Sequence, residues 1–255
     1  MTEEKNEIEA KKDFTIELRK DMKEKFISVN ANKNQFAVDL DKLTAYQLAQ
    51  LVSQYNHFPK EIVSFLIWAR KNSIKQNWHA VTNELTRNIG EELGTQSLGF
   101  THYQILLDGL KNGLGANFHG SFPSTYTTGF VNGITNVMQN ESAEFTTGAA
   151  YALEASAVPE LTIVQAVVKK LFLLHNEEDM QDENLISFFK NHLSEWEPGH
   201  EEELNKASKQ YIKTDEQKQQ FKEGFFAVMK TMDTWWSGMA SEIIGLQKEP
   251  KGEIK

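Results

Sequence analysis

Glutamate and histidine are the residues of this sequence that best suit metal chemistry, and they form three clusters. The first contains Glu91, Glu92 and His102. Each residue of a regular helix turns by about 100°, which would place Glu91 about 20° and Glu92 about 80° from His102. Gly94 and Gly99 disfavour an unbroken helix, so either glutamate can converge on His102. The alternative is that both glutamates are exposed near the end of a helix.

The second cluster centres on Glu154, which lies in the small, apolar segment 148–157. Small neighbours suit close packing against other helices. Burial of a lone carboxylate costs several kcal/mol, so a buried Glu154 must be paired or bound to metal. Glu160 is the local competitor, but it follows Pro159 at the expected start of a helix, where an acidic residue complements the helix dipole.

The third cluster contains His192, Glu197 and His200. Glu197 and His200 are three residues apart and share a helical face, a spacing that suits one metal ion. His192 and Glu197 are five apart, or about 140° in a regular helix. Pro198 removes the backbone donor that would bond to Ser194. A bulge of about 4.4 residues per turn there would bring Glu197 within roughly 50° of His192.

Two alternatives remain open in this third segment. Glu195, three residues after His192, is the competing ligand to Glu197. A merely polar helix face, ended by Pro198-Gly199, is the alternative to a site. Taken together, the clusters can supply three imidazoles and three carboxylates, a donor set that suits iron or manganese. The chain has no cysteine, which disfavours structural zinc and excludes disulfides, iron–sulfur clusters and thiol nucleophiles.

Tyr151 is the candidate catalytic side chain outside the metal ligands. It lies three residues before Glu154 and therefore on nearly the same helical face. In that position its hydroxyl can donate a hydrogen bond to a ligand or relay a radical. Packing in the core is the alternative role for this ring.

Composition limits the partners of the protein. The formal net charge is −9, from 36 acidic and 27 basic residues, which argues against a nucleic-acid partner. No apolar run approaches the roughly 20 residues that a membrane-spanning helix needs. The segment 1–13 is charged and polar and lacks the apolar core of a signal peptide, so we expect a cytoplasmic protein without membrane association.

Apolar residues recur at helical spacing through almost the whole chain, which predicts an all-α bundle of about eight to ten helices. We expect one helical domain over 1–247 with a charged N-terminal extension, and a disordered tail over 248–255. Only 35–39 alternates like a strand, and 113–123 is the clearest loop. Asp41 is the expected cap of the second helix, and Pro159 the expected start of another. The predicted helices cover 7–27, 42–56, 60–73, 78–93, 100–112, 124–138, 141–157, 159–175, 184–196, 200–212 and 215–246.

The three clusters resemble the metal-binding motifs of the haem-oxygenase-like diiron oxidases and oxygenases, over roughly residues 58–245. In that superfamily, a glutamate and a histidine come from one core region, a glutamate from a second, and a His, Asp, His series from a third. Glu92 and His102 match the first region and Glu154 matches the second. The third is matched by His192 and His200, with Glu197 in the place of the aspartate. The usual spacing of four and then three residues is five and then three here.

The resemblance implies a haem-oxygenase-like fold and two iron ions, without haem, that activate dioxygen. Manganese is the alternative metal. Superfamily members oxidise small metabolites such as amino acids and fatty acids, so we expect a small-molecule substrate together with O₂. A homodimer is plausible from the superfamily alone. The sequence does not name the substrate.

Competing functions follow from the same fold. Thiaminase-type relatives rely on a cysteine that this chain lacks, and haem oxygenase needs a histidine near the N-terminus, where residues 1–50 contain none. The alternative from another class is a metal-free helical binding or signalling protein, in which the clustered residues are only satisfied polar groups.

Overall fold

All regular structure in the described residues is helical. The computed structural model describes residues 13–114, 122–176 and 180–245, and these ranges contain no strand. They hold ten helices of nine or more residues and one further helical turn, which confirms the predicted all-α class. The predicted charged extension, most of the predicted loop and the predicted tail lie outside the described residues. No helix within the described ranges has the length and apolar character needed to cross a membrane.

We number the helices in chain order, and short 3₁₀ or π turns extend several of them. The 3₁₀ turns cover Ile27–Val29 and Leu40–Lys42, and the π turns cover His192–Trp196 and Ala240–Ile244. The α-helices are α1 (Phe14–Lys25), α2 (Gln35–Val38), α3 (Ala45–Tyr55), α4 (Ile62–Lys75), α5 (His79–Glu92), α6 (His102–Leu114), α7 (Thr125–Met138), α8 (Ala143–Asn176), α9 (Glu183–Asn191), α10 (Glu197–Ser208) and α11 (Asp215–Met239).

One local prediction near the N-terminus was wrong, and one alternating segment, too short for a sheet, forms a helical turn. Thr44, not Asp41, caps α3, because its side chain accepts from the Gln47 amide while the Gln47 side chain accepts from the Thr44 amide. This reciprocal capping box satisfies two backbone donors at once. The alternating segment 35–39 forms the helical turn α2, because the Asn34 side chain accepts from two following amides.

Two helix boundaries that were predicted from prolines were wrong. Pro159 does not open a helix but lies inside α8, which runs for 34 residues. The ring removes one backbone hydrogen bond, a cost of about 3 kcal/mol in an isolated helix. Burial of α8 along much of its length offsets that cost, since its residues 149–156 are all buried. Pro198 likewise lies in the first turn of α10, where its missing donor is tolerated, and does not separate two helices.

Helix α8 is the central element, and its closest neighbour is α11. At Gly148 an added Cβ would overlap the backbone carbonyl of Phe221, and at Gly224 it would overlap that of Phe145. The two backbones therefore approach each other through a pair of glycines. This agrees with the close packing expected from the small residues of segment 148–157. The contact fixes the position of α8 against the rest of the core.

Candidate metal centre

A cavity of about 60 Å³ follows one face of α8. Its α8 wall is made by Leu153, Glu154, Ala157, Glu160 and Leu161, which recur at the spacing of a single helical stripe. The other walls come from the end of α3, the α3–α4 connection, the start of α4, the end of α5, the start of α6, α9 with its π turn, and the start of α10. Four glutamates and two histidines face this otherwise apolar space. Such a density of ionisable groups in a cavity is characteristic of a functional site.

The first cluster is assembled by a break in the chain. Helix α5 ends at Glu92 and α6 begins at His102, and in the connection Gly94 and Gly99 adopt φ angles of +99° and +88°. Glycine takes such angles without steric cost. The turn brings Glu92 Oε1 to 3.0 Å from His102 Nδ1. The indole of Trp196 stacks on the imidazole of His102 with ring centroids 4.2 Å apart, which holds the ring in place.

The third cluster depends on the bulge that the sequence predicted. Residues His192–Trp196 form a π turn between α9 and α10. As a result, Glu197 Oε1 lies 3.9 Å from His192 Nε2, and Glu197 is buried whereas Glu195 is exposed. The Nδ1 of His192 donates to the Phe188 carbonyl at 2.7 Å, so its Nε2 keeps a free lone pair near Glu197. Of the two competing glutamates, the structure therefore brings Glu197 into the cluster.

His200 lies between two sets of carboxylates. Its Nε2 donates to Glu91 Oε2 at 2.6 Å, while its Nδ1 lies 3.4 Å from Glu154 Oε2 and 3.8 Å from Glu197 Oε2. Glu91 is held in turn by Arg87, whose Nη1 is 2.7 Å away. The two adjacent glutamates thus serve different histidines: Glu92 meets His102, and Glu91 fixes the orientation of His200 from behind. A carboxylate on the far nitrogen of a ligating histidine is a general feature of metal sites.

Glu154 completes the set from α8. Its Oε1 accepts a 2.7 Å hydrogen bond from the Asn88 amide, and its Oε2 faces His200. The candidate ligand atoms form two overlapping groups, and within each group all atoms lie within 4.8 Å of one another. One group is Glu92, His102 and His192, and the other is Glu92, Glu197 and His200. Glu92 belongs to both groups.

Electrostatics in the cluster favour bound positive charge. Burial, together with the neighbouring His102, lowers the pKa of His192 to about 3, so this imidazole is neutral. Burial raises the pKa of the Glu197 carboxyl to about 8, although the neighbouring His200 opposes the rise. Burial also opposes protonation of His200, but Glu154 and Glu197 outweigh it and raise the pKa of His200 to about 12. Buried carboxylates that lie close together keep protons, which reduce their mutual repulsion. Bound metal cations would reduce that repulsion in the same way.

The donor atoms themselves fit a metal. His102 Nε2 and His200 Nδ1 are buried without a hydrogen-bond partner among the described residues. Buried polar nitrogens are rarely left unpaired, so each is suited to a ligand. Imidazole nitrogens combined with carboxylate oxygens match the preferences of iron and manganese. Five of the six predicted ligands thus line the cavity, and the sixth, His200, lies within 4 Å of two of them, Glu154 and Glu197.

Tyr151 faces away from this space. Its hydroxyl donates to Glu201 at 3.0 Å, and its ring packs against Phe221 and Phe225. It does not line the cavity within the described part of the chain. A catalytic role for Tyr151 stays a prediction, and this contact favours the packing role. The tyrosine on the cavity wall is Tyr55, which sequence reasoning did not single out.

Sequence reasoning also missed the groups that surround the ligands. Arg87 lies four residues before Glu91, a spacing that predicts an ion pair and was the available signal. Asn88 and Trp196 carried no local signal, because each acts across a contact between helices. Glu160 was expected in the first turn of a helix that begins at Pro159, but it lies inside α8 and is 2% exposed.

Comparisons with known proteins agree with this architecture. The family model described as a domain of unknown function with solved structure, DUF3865, matches residues 12–242. A 2.00 Å crystal structure of a CADD-like protein of unknown function from Nostoc punctiforme is 32% identical, with a TM-score of 0.83 over 90% of this chain and 96% of that one. A 1.35 Å structure with the same description is 30% identical, with a TM-score of 0.82 over 93% and 97%. No curated protein matched the chain.

The fold and the site together indicate the class of protein, which is an all-helical protein with a buried glutamate–histidine cluster that could hold metal ions. The match over 12–242 then identifies the family, and the chain belongs to DUF3865.

Proposed function

We propose that the protein is a non-haem diiron oxidase or oxygenase of haem-oxygenase-like fold that uses O₂ to oxidise a small metabolite. One iron would be held by His102 and His192, the other by Glu197 and His200, with Glu92 shared between them. Glu154 would complete the second position.

The shared carboxylate is the observation that carries the proposal. Glu92 offers a ligand atom to both groups of donors, which is the arrangement that two adjacent cations need. The Glu197-x-x-His200 pair also matches the motif by which helical bundles bind carboxylate-bridged metal pairs. Two buried imidazole nitrogens without partners give further support.

Iron bound in this cluster would supply the electrons that activate dioxygen. The protein's own residues orient and isolate the reaction. Phe188 fixes the tautomer of His192 through its carbonyl, and Glu91 fixes that of His200. Phe58, Ile62 and their neighbours make the rest of the cavity apolar, which limits the access of water.

Metal loading tests the proposal directly. Protein purified without an affinity tag would be treated with ferrous iron under anaerobic conditions, freed of excess metal and analysed for iron. We expect about two iron ions per chain. His102→Ala and His192→Ala should each bind markedly less, whereas the exposed His175→Ala is the matched control and should bind as the wild type does.

Oxygen uptake in the presence of a chemical reductant, beyond the one O₂ that two ferrous ions can reduce to peroxide, then separates an oxidase from a metal store. Oxygen consumption that requires His102 and His192 supports the proposal. Iron binding that neither variant changes would contradict it. Failure to take up iron or manganese would instead favour the alternative of a metal-free binding or signalling protein.

A further inference from the structure

A second polar group lies on the cavity wall beyond the metal ligands. Glu160 is 2% exposed and comes from the same stripe of α8 as Glu154, six residues further on. Six residues of helix span about 9 Å, so Glu160 lies at the other end of this wall. It belongs to neither group of candidate ligand atoms in the described residues.

The Glu160 carboxyl is held by two donors from other helices. Trp236 Nε1 donates to its Oε1 at 2.8 Å, and the Tyr55 hydroxyl forms a second hydrogen bond. A carboxylate has about four acceptor positions, so two donors leave capacity for a third partner. No lysine or arginine lines the cavity in the described part of the chain. The cost of burying this carboxyl is thus not offset by a protein cation.

The rest of this end of the cavity is apolar. Phe58, Ile62, Ala157 and Leu161 contribute carbon surface to the cavity, and the last two neighbour Glu160 on the same face of α8. A ligand group placed here meets hydrocarbon on several sides and one carboxyl as the polar anchor. Such a site favours a cationic hydrogen-bond donor and disfavours a second carboxylate, which would be repelled without a compensating charge.

We infer that Glu160 anchors the amino group of the substrate, so that the protein acts on a small primary amine with a short apolar body. This inference rests on the proposed function for the chemistry, but it concerns a separate group of residues. The carbon skeleton would lie along α8 between Glu160 and the metal ligands. Tyr55 and Trp236 are positioning residues that orient the carboxyl.

Calorimetric titration of the iron-loaded protein without oxygen tests the inference. The probes are n-butylamine, n-butanol and butyrate, which share size but differ in charge. At pH 8.5 the amine is protonated and Glu160, whose pKa burial raises to about 8, is mostly ionised. We expect it to bind at least tenfold more tightly than the alcohol. Butyrate should gain no affinity from Glu160.

The decisive variant is Glu160→Gln, whose amide oxygen can still accept from Trp236 and Tyr55. It should reduce amine affinity at least tenfold while leaving the bound iron and alcohol binding unchanged. Glu141→Gln removes one negative charge from an exposed position and is the matched control, with no effect expected.

The outcomes separate the two proposals. Unchanged amine affinity in Glu160→Gln, or tighter binding of butyrate than of the amine, would overturn the amine assignment even if two iron ions bind. Absence of bound iron with amine binding that still depends on Glu160 would refute the diiron function and retain the amine site. Repeating the titration on the metal-free protein shows whether the amine binds iron instead, because that binding would disappear with the metal.

Discussion

Glu154 and Glu160 lie on the same stripe of α8 and face the same cavity, yet their surroundings differ. Glu154 is among nitrogen donors and other carboxylates, with His200 and Asn88 as its nearest partners. Glu160 is held by an indole and a phenol, and burial raises its pKa to about 8. The difference shows that the partner helices, not the helix that carries a carboxylate, decide what that carboxylate can do.

Glu154→Gln should give the largest effect of the comparison. Loss of a group that only supports a ligand costs 10–100-fold in metal affinity, so we expect loss of a ligand to cost at least about 100-fold. Glu160→Gln should retain the iron of the wild type. Iron analysis after equilibrium dialysis measures both. Equal iron loss in the two variants would mean that the two ends of the cavity are not distinct.

Glu91→Gln tests whether the carboxylate on the far nitrogen of His200 affects metal binding at the end of the cavity that contains Glu154. The amide can still accept from His200 Nε2 but no longer offsets its positive charge, so metal affinity should fall roughly 10-fold. Competition with a chelator gives the affinity. Glu195→Gln is the control, since Glu195 is exposed and should bind metal as the wild type does. A normal affinity in Glu91→Gln would exclude Glu91 from the site.

The pH dependence of protein stability tests the raised pKa of Glu160. The folded pKa of Glu160 is raised from 4.5 to about 8, so the native state holds this proton more tightly than the unfolded chain does. The resulting stability is complete below pH 4.5 and is lost as the pH rises through 8. Since one pKa unit corresponds to about 1.4 kcal/mol, a pKa raised from 4.5 to about 8 should cost metal-free wild type up to about 5 kcal/mol across this window relative to Glu160→Gln.

Urea unfolding of both proteins at several pH values measures that difference. Glu141→Gln should follow the wild-type curve. Parallel curves for wild type and Glu160→Gln would show that folding does not raise the pKa of Glu160.

Tyr151→Phe should give the smallest effect, because its hydroxyl donates to Glu201 outside the cavity. Loss of one such hydrogen bond costs about 1 kcal/mol of stability. Iron content and oxygen consumption should change by less than about twofold. A drop in oxygen consumption of more than tenfold at normal iron content would instead establish the catalytic role predicted from the sequence.

Local chemistry made part of this site predictable. The missing donor of Pro198 predicted the bulge that turns Glu197 towards His192, and the π turn His192–Trp196 confirms it. Gly94 and Gly99 predicted the break that lets Glu92 reach His102. In each case the deciding feature lies within a few residues of the group that it positions.

Other predictions failed because the residues that decide the outcome are far away in the sequence. Pro159 has the local signature of a helix start, but packing of α8 in the core carries the helix through it. That continuity buries Glu160, where Trp236, 76 residues later, becomes its partner. Tyr151 shares a face with Glu154 by spacing, yet Glu201 draws its hydroxyl elsewhere.

By itself, the sequence determined the helical class, the positions of the six candidate ligands and the bulge, because periodicity and backbone donors act over one or two turns. Tertiary structure alone decided which glutamate meets which histidine, which tyrosine faces the cavity, and that a second carboxyl lies buried beyond the ligands. These choices depend on contacts between helices far apart in the chain, where burial free energy exceeds local propensity.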